Sequence, residues 1–334
     1  MPSLPKSRLG RRIARAREPQ LAPLATEREQ PRVEVVEYPG LRWINIERPQ
    51  PADQAWLEER FDFHPLDYED VFSRNQRPKV DEYDEYLFIV LHFPRYDARV
   101  ARLNAAELDI FIGPDFVITL PNEPLQPVEY LFERCRVNEE AREQHFSKGS
   151  GYLLYRIIDS CVDASFPMLR KMGNKLERIE EDIFEGRSEE IVRDISNVKQ
   201  EIINFRKIVR PQRATFRDLE RNKARYIPED LDIYFDDIND AWERIWDMLE
   251  NFKEVVEGLE STNESVLAHR GNQTFRILTA FSVMLLPLTL IASIWGMNVH
   301  VPGQGEKVPF YMVLGLMVVT LGGLLYYFRK RGFL

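Results

Sequence analysis

The 334 residues predict an α+β protein: an α/β domain, then long helices, a stalk helix continuous with a first transmembrane helix, and a second transmembrane helix. Three observations carry this. Short β-branched and aromatic runs bounded by Pro, Gly, Asn and Asp fill the first part, as strands do. A heptad seam then runs without a proline from Ile238 to Val266. Finally, two stretches without a charged side chain, the 19 residues Ile277 to Trp295 and the 21 residues Val308 to Phe328, each reach the length that lets a helix cross a bilayer.

Taken in order, residues 1–33 open with a basic tail, Lys6, Arg8, Arg11, Arg12, Arg15 and Arg17, that lacks the apolar run of a signal peptide and is expected to be disordered. Contact of this tail with anionic lipid heads is the alternative. Residues 34–147 form the α/β domain. Strands are expected at Leu41 to Ile46, Tyr86 to Phe93, Glu107 to Ile112 and Phe116 to Leu120, and short helices at Asp53 to Phe61, with Asp53 as its cap, and at Pro65 to Phe72. Residues 148–227 read as two helical arms broken near Gly186, Arg187 and Ser188. The first arm is acidic (Glu177, Glu180, Glu181, Asp182, Glu185) and the second basic, from Lys199 to Arg225. Faces of this kind pair with neighbouring helices; phosphate or lipid binding by the basic arm is the sharper alternative.

The stalk, residues 228–275, places Ile238, Trp242, Ile245, Leu249, Phe252, Val256, Leu259, Asn263 and Val266 at alternating spacings of 4 and 3. The first proline after Pro228 is Pro287, so one helix from about Asp230 to Trp295 is expected, roughly 100 Å long at 1.5 Å per residue. Such a rod is expected to assemble with copies of itself. Between Glu229 and Glu264 it carries 13 acids against Arg244 and Lys253. That face is either simply solvated or a place for divalent cations, since carboxylates suit hard ions.

Residues 276–298 then form the first span, 299–307 an external loop, 308–328 the second span, and 329–334 a basic end. Arg270 and Arg276 precede the first span, and Arg329, Lys330 and Arg331 follow the second. By the positive-inside rule both termini face the cytoplasm, in a cell inner membrane. A two-helix hairpin encloses no path for an ion, so conduction requires several copies around the path.

Composition excludes other classes. A net charge of −9 argues against a general nucleic-acid binder. Cys135 and Cys161 match no disulfide or zinc pattern. Neither a phosphate-binding G-x-x-x-x-G-K-[ST] nor a G-x-S-x-G or H-E-x-x-H motif occurs, which speaks against an enzyme, a nucleotide partner and ATP-driven transport. His300, in the loop, is a lone histidine unless a ring of copies turns it toward cobalt, nickel or zinc. Glu306 attracts cations at the mouth or is an incidental loop acid.

The segment Pro287-Leu288-Thr289-Leu290-Ile291-Ala292-Ser293-Ile294-Trp295-Gly296-Met297-Asn298, followed by a short loop and a second span ending in basic residues, resembles the CorA family of magnesium transporters. Arg77-Pro78-Lys79-Val80, the run Tyr86 to Leu91, Tyr152 to Tyr155, and Ile158-Asp159 are similar to the family as well. The resemblance implies a homopentameric funnel with the first span of each copy lining a central pore in the lipid bilayer, carrying Mg2+ and also Co2+ or Ni2+. It implies an outer selectivity site at Gly296, Met297 and Asn298. It further implies pore-lining positions at Asn272, Phe275, Leu278, Leu286 and Thr289, and a basic ring at Arg329, Lys330 and Arg331. A regulatory intersubunit Mg2+ site is implied at Asp237, with Asp97 as its partner, where bound cytosolic Mg2+ holds the funnel closed. Trp295 stands where the family usually has Tyr, and Ser293 where Gly is common. A zinc transporter of the same superfamily is the neighbouring reading. A membrane-anchored helical scaffold is the reading of another class, and it leaves Pro287 to Asn298 without a purpose.

Overall fold

The computed structural model describes residues 28–73, 76–97, 102–185, 188–222, 229–297 and 307–332. The basic tail before Arg28, Arg187, Lys223, Arg225, Asn298, His300 and Glu306 lie outside the described residues.

Six strands make one mixed sheet: β1 (Glu34–Tyr38), β2 (Leu41–Asn45), β3 (Lys79–Glu82), β4 (Leu87–Asp97), β5 (Arg102–Ile112) and β6 (Phe116–Pro121). Their order is β1-β2-β6-β5-β4-β3. Only the β2 and β6 pairing is parallel among these neighbours; the rest run antiparallel. The four expected strands are present, and β4 and β5 are longer than expected because they pair over their whole length, from Leu87 opposite Ile112 to Asp97 opposite Arg102. β1 and β3 are additional. They are edge strands whose alternation is too short and too polar to stand out from the sequence.

Two short helices, α1 (Pro51–Glu58) and α2 (Pro65–Phe72), cover one face of the sheet. Phe88, Val90, Phe111 and Ile118 meet Leu57, Phe63, Tyr68 and Val71 there. Asp53 is not the cap of α1. Pro51 opens the helix, Gln50 occupies the cap position, and Asp53 reaches back from the first turn to accept the Gln50 backbone N–H at 2.8 Å. It also accepts from the Arg32 backbone at 2.7 Å, and the Arg28 guanidinium lies 3.1 Å away.

The opposite face carries α3 (Gln126–Val137), α4 (Glu139–Phe146), α5 (Ser150–Asp163), α6 (Ser165–Glu185) and α7 (Ser188–Asn222). The helical arms are therefore three helices and not two. Pro167 cannot sit inside a helix without losing a backbone hydrogen bond, so the chain restarts at Ser165 with proline in the first turn, where it is tolerated.

After a single 3-10 turn at Glu229–Leu231, α8 runs from Asp232 to Trp295 through Pro287, 64 residues or about 96 Å at 1.5 Å per residue. The seam read from the sequence is real but faces inward. Ile238, Trp242, Ile245, Leu249, Val256 and Leu259 are buried in the same core as Ile195, Val198, Ile202, Phe205 of α7 and Leu169, Met172, Leu176 of α6. The heptad face is thus filled by the chain's own α6 and α7, so any assembly of copies uses other faces of the rod. Phe93 of β4 stacks on Trp242 with ring centroids 6.2 Å apart, which continues the sheet's core into the stalk. α9 (Lys307–Lys330) packs back on the end of α8 through Leu321, Leu324 and Phe328 against Ala280 and Met284.

Candidate functional site: the exposed faces of the long helix

Both α8 and α9 contain segments long and apolar enough to cross a membrane, and those segments are almost entirely unburied within the chain. In α8 the burial is one-sided. At 100° per residue, Ala280 and Met284 point toward α9, whereas Phe275, Leu278, Leu286 and Thr289 fall within about 40° of the opposite direction. These four side chains are exposed, Phe275 at 67% and Leu286 at 66%. Asn272 is exposed too, but lies about 80° off the line of the other four. The stripe runs up to Gly296, which ends the helix with its N–H on Ala292 O at 2.9 Å, and to exposed Met297. Asn298 and Glu306 lie outside the described residues, so the described geometry ends at Met297. Ser282, absent from the positions taken from the resemblance, lies on the same stripe; helical spacing from Leu278 and Leu286 was the signal that would have found it.

At the far end of the spans, Arg329, Lys330 and Arg331 are exposed. Arg276 of α8 donates to Gly332 O at 2.6 Å, tying the start of the first span to the end of the second. Arg331 lies 5.8 Å from the Tyr327 ring centroid.

On the stalk, the acids divide into two sets. Glu243, Glu250 and Glu260 pair with Arg213, Arg206 and Lys199 of α7. The sequence expectation that oppositely charged faces pair with neighbouring helices therefore describes the second arm against the stalk. The first arm joins it through Lys175 and Glu201, 2.7 Å apart. Asp230, Asp236, Asp237, Asp240, Asp247, Glu254 and Glu264 are exposed, as is Glu257, which lies 3.7 Å from Lys253 of the same helix. Asp237 stands near Asp159 of α5: the Asp159 carboxyl is held above its usual range by burial, by Asp163 and by Asp237, against the lowering effect of Arg156. Asp159 is thus a carboxyl neighbour of Asp237 that the sequence reading had not assigned. Asp97 closes β4, half-buried, opposite Arg102 in the register. The two carboxylates sit on different parts of one chain, β4 and the first turns of α8.

A third acidic group lies at the sheet edge. Carboxylate oxygens of Asp67, Asp70 and Asp81 come within 4.8 Å of one another. The Lys79 ammonium already occupies this group, 2.6 Å from Asp70 and in contact with Asp81, while Asp67 accepts from the hydroxyls of Tyr83 at 3.0 Å and Tyr86 at 2.7 Å. A tethered cation fills the place of a metal, and the cluster locks α2 to β3.

A family model described as CorA-like Mg2+ transporter protein matches residues 39–330. The chain is 30% identical over 294 residues to the cobalt/magnesium transport protein CorA of Thermotoga maritima, covering 87% of this chain and 83% of that one. It is 22% identical over 316 residues to the cobalt/magnesium transport protein CorA of Methanocaldococcus jannaschii, covering 91% and 96%. Among solved structures, the CorA magnesium transporter from Methanocaldococcus jannaschii aligns with a TM-score of 0.77 at 21% identity, covering 88% of this chain and 92% of that chain. The full-length CmaX protein aligns with a TM-score of 0.68 at 20% identity, covering 87% and 88%.

Proposed function

Because the chain belongs to the family of CorA-like Mg2+ transporter proteins, we propose that it carries magnesium across a membrane along the unpartnered stripe of α8, with several copies surrounding the path. The chain is a divalent-cation transporter of that family and not an enzyme; the ion, the number of copies and the gate are our reading. The single observation that carries it is the division of α8 into a face packed on α9, at Ala280 and Met284, and an opposite face left without a partner.

Lone hairpins enclose nothing. Copies arranged with the Phe275, Leu278, Leu286 and Thr289 face inward would each supply one wall of a pore, and five copies are what the family resemblance implies. No charged residue follows Arg276 in this span, so the wall would not chelate a bare ion tightly. Magnesium keeps its water reluctantly exchanged and is commonly held through it. The path therefore suits a hydrated cation, with Gly296, Met297 and Asn298 accepting hydrogen bonds from its water at the outer mouth. Cobalt, named with magnesium for the Thermotoga and Methanocaldococcus relatives, is the expected competitor, with nickel after it.

Phe275, Leu278 and Leu286 would form an apolar constriction that resists wetting. Cytosolic Mg2+ held between copies by Asp97 of one and Asp237 of the next would offset the repulsion among the exposed stalk acids and keep the constriction narrow. Its loss would free the stalks to separate. Arg329, Lys330 and Arg331 would form the basic ring at the cytoplasmic boundary, with both termini inside and Glu306 beside the outer mouth. Residues 34–147 and the helices to residue 227 would form the wide cytoplasmic part.

Magnesium entry into proteoliposomes under an inward gradient and a negative internal potential tests this. Entry by the wild type that is lost in Asn298→Ala supports the path; a well-folded oligomer that admits zinc but no magnesium overturns the ion.

A further inference from the structure

Ser282 sits at the centre of the unpartnered stripe. Leu278 and Leu286 lie about 40° to either side of it and about 6 Å below and above, while Ala280 and Met284, which face α9, each point about 160° away. A hydroxyl therefore stands in the middle of the apolar constriction.

Its hydrogen is committed. Ser282 Oγ donates to Leu278 O at 2.9 Å, the bond that serine in a helix interior makes to the preceding turn. Thr289, further along the same stripe, does likewise, donating to Leu286 O at 2.9 Å. A serine hydroxyl has one hydrogen and two lone pairs. With the hydrogen turned to the backbone, each hydroxyl offers the open face only its lone pairs. The water around a divalent cation turns its oxygen inward to the metal and its hydrogens outward, so it needs acceptors. The water around an anion turns its hydrogens inward and needs donors.

We propose that Ser282, resting on the pore reading above, is a specificity-determining residue: a ring of backbone-locked hydroxyls that accepts hydrogen bonds from the water of a hydrated divalent cation at the narrowest apolar stretch. The ring supplies a polar step between Leu278 and Leu286, and Thr289 supplies the next one toward Gly296. Without it the ion's water would cross the whole stretch with no partner from the wall.

The test compares Ser282→Ala, Ser282→Thr and Asn298→Ala with the wild type in proteoliposomes, reading Mg2+ entry, together with thiol labelling of Ser282→Cys and Ala280→Cys. Each variant is first shown to elute as the wild-type oligomer. Loss of one hydrogen bond per copy predicts that Ser282→Ala lowers Mg2+ entry at least about fivefold, while Ser282→Thr, which keeps the locked hydroxyl, retains at least about half. A charged, water-soluble thiosulfonate is expected to label Ser282→Cys and block entry, and to leave Ala280→Cys unlabelled; Cys135 and Cys161 are buried and add no background. Wild-type entry in Ser282→Ala, or equal labelling at the two positions, overturns the proposal even where Asn298→Ala abolishes entry and the pore reading stands. A wild type that admits no Mg2+ overturns both.

Discussion

Arg213 holds Glu243 by two atoms at once: its Nη2 lies 2.8 Å from Oε1 and 2.6 Å from Oε2, and its Nε donates to Oε1 at 3.0 Å. The same guanidinium lies 5.4 Å from the centroid of Trp246, and Arg206, paired with Glu250, lies 5.1 Å from that ring. The basic helix α7 thus neutralises one side of an acidic stalk and leaves the other side bare.

The first prediction concerns that rung. Both partners are partly exposed, so Arg213→Glu is expected to cost about 1 kcal/mol from the lost pair, with further loss from the new repulsion. Thermal unfolding of Arg213→Glu, Glu243→Arg and the double variant checks it: the double variant should recover most of the loss, and additive losses would show the pair to be idle.

A second prediction follows from the exposed acids. If Asp237 holds the regulatory ion with Asp97, then Asp237→Lys removes one charged ligand and adds a repelling one. The internal Mg2+ needed to halve the flux should rise by at least about tenfold. Flux as sensitive to internal Mg2+ as the wild type's would refute the assignment.

Leu286 supplies the third. Replacing it by serine adds a polar group to the constriction and lowers the barrier to wetting. If Leu286 forms the proposed constriction, Leu286→Ser should conduct severalfold more than the wild type at high internal Mg2+, where the proposed gate closes. Unchanged residual flux would place the barrier elsewhere.

The fourth is a pH dependence remote from the membrane. His145 is buried, and burial first, then Arg156 and Arg134, lowers its pKa to about 4. The unfolded chain takes up this proton near 6.5 and the folded one does not, so the contribution to stability is complete above pH 6.5 and is lost as the pH falls toward 4. The full span is worth about 3 kcal/mol. Urea unfolding of the wild type and of His145→Leu across that window checks it: the variant should show a shallower slope, and identical slopes would disprove the account.

Lys79 is the fifth. Lys79→Met leaves Asp70 and Asp81 gathered beside Asp67 without their cation, at an expected cost of about 2 kcal/mol in thermal unfolding, while Lys79→Arg should restore most of it. No loss in Lys79→Met would mean that the carboxylates are simply solvated.

Much of this architecture could be read before any coordinates. Ile238 to Val266 announced a helix because apolar side chains at 3 and 4 must share a face, and Ile277 to Trp295 announced a span because charge is costly in lipid. What the heptads left open was their partner, since an apolar seam is satisfied equally well by a copy of itself or by Phe205 and Ile202 of the same chain. β1 and β3 went unread for a related reason: an edge strand is defined by the neighbour that accepts it and carries little pattern of its own. At the candidate site, Phe275, Leu278, Leu286 and Thr289 came from resemblance to a family; Ser282 shares their helical spacing, and the face of α8 that meets α9 singled it out.

The sequence by itself determined the long helices, the inner strands, the two spans and the motif from Pro287 to Asn298, because these depend on local periodicity and on the absence of charge over a length set by the bilayer. Only the tertiary structure decided which acids of the stalk are matched and which stay bare, and which side of α8 is left open. Those outcomes depend on the angle at which α6, α7 and α9 meet one helix, and that angle arises from packing between segments far apart in the chain.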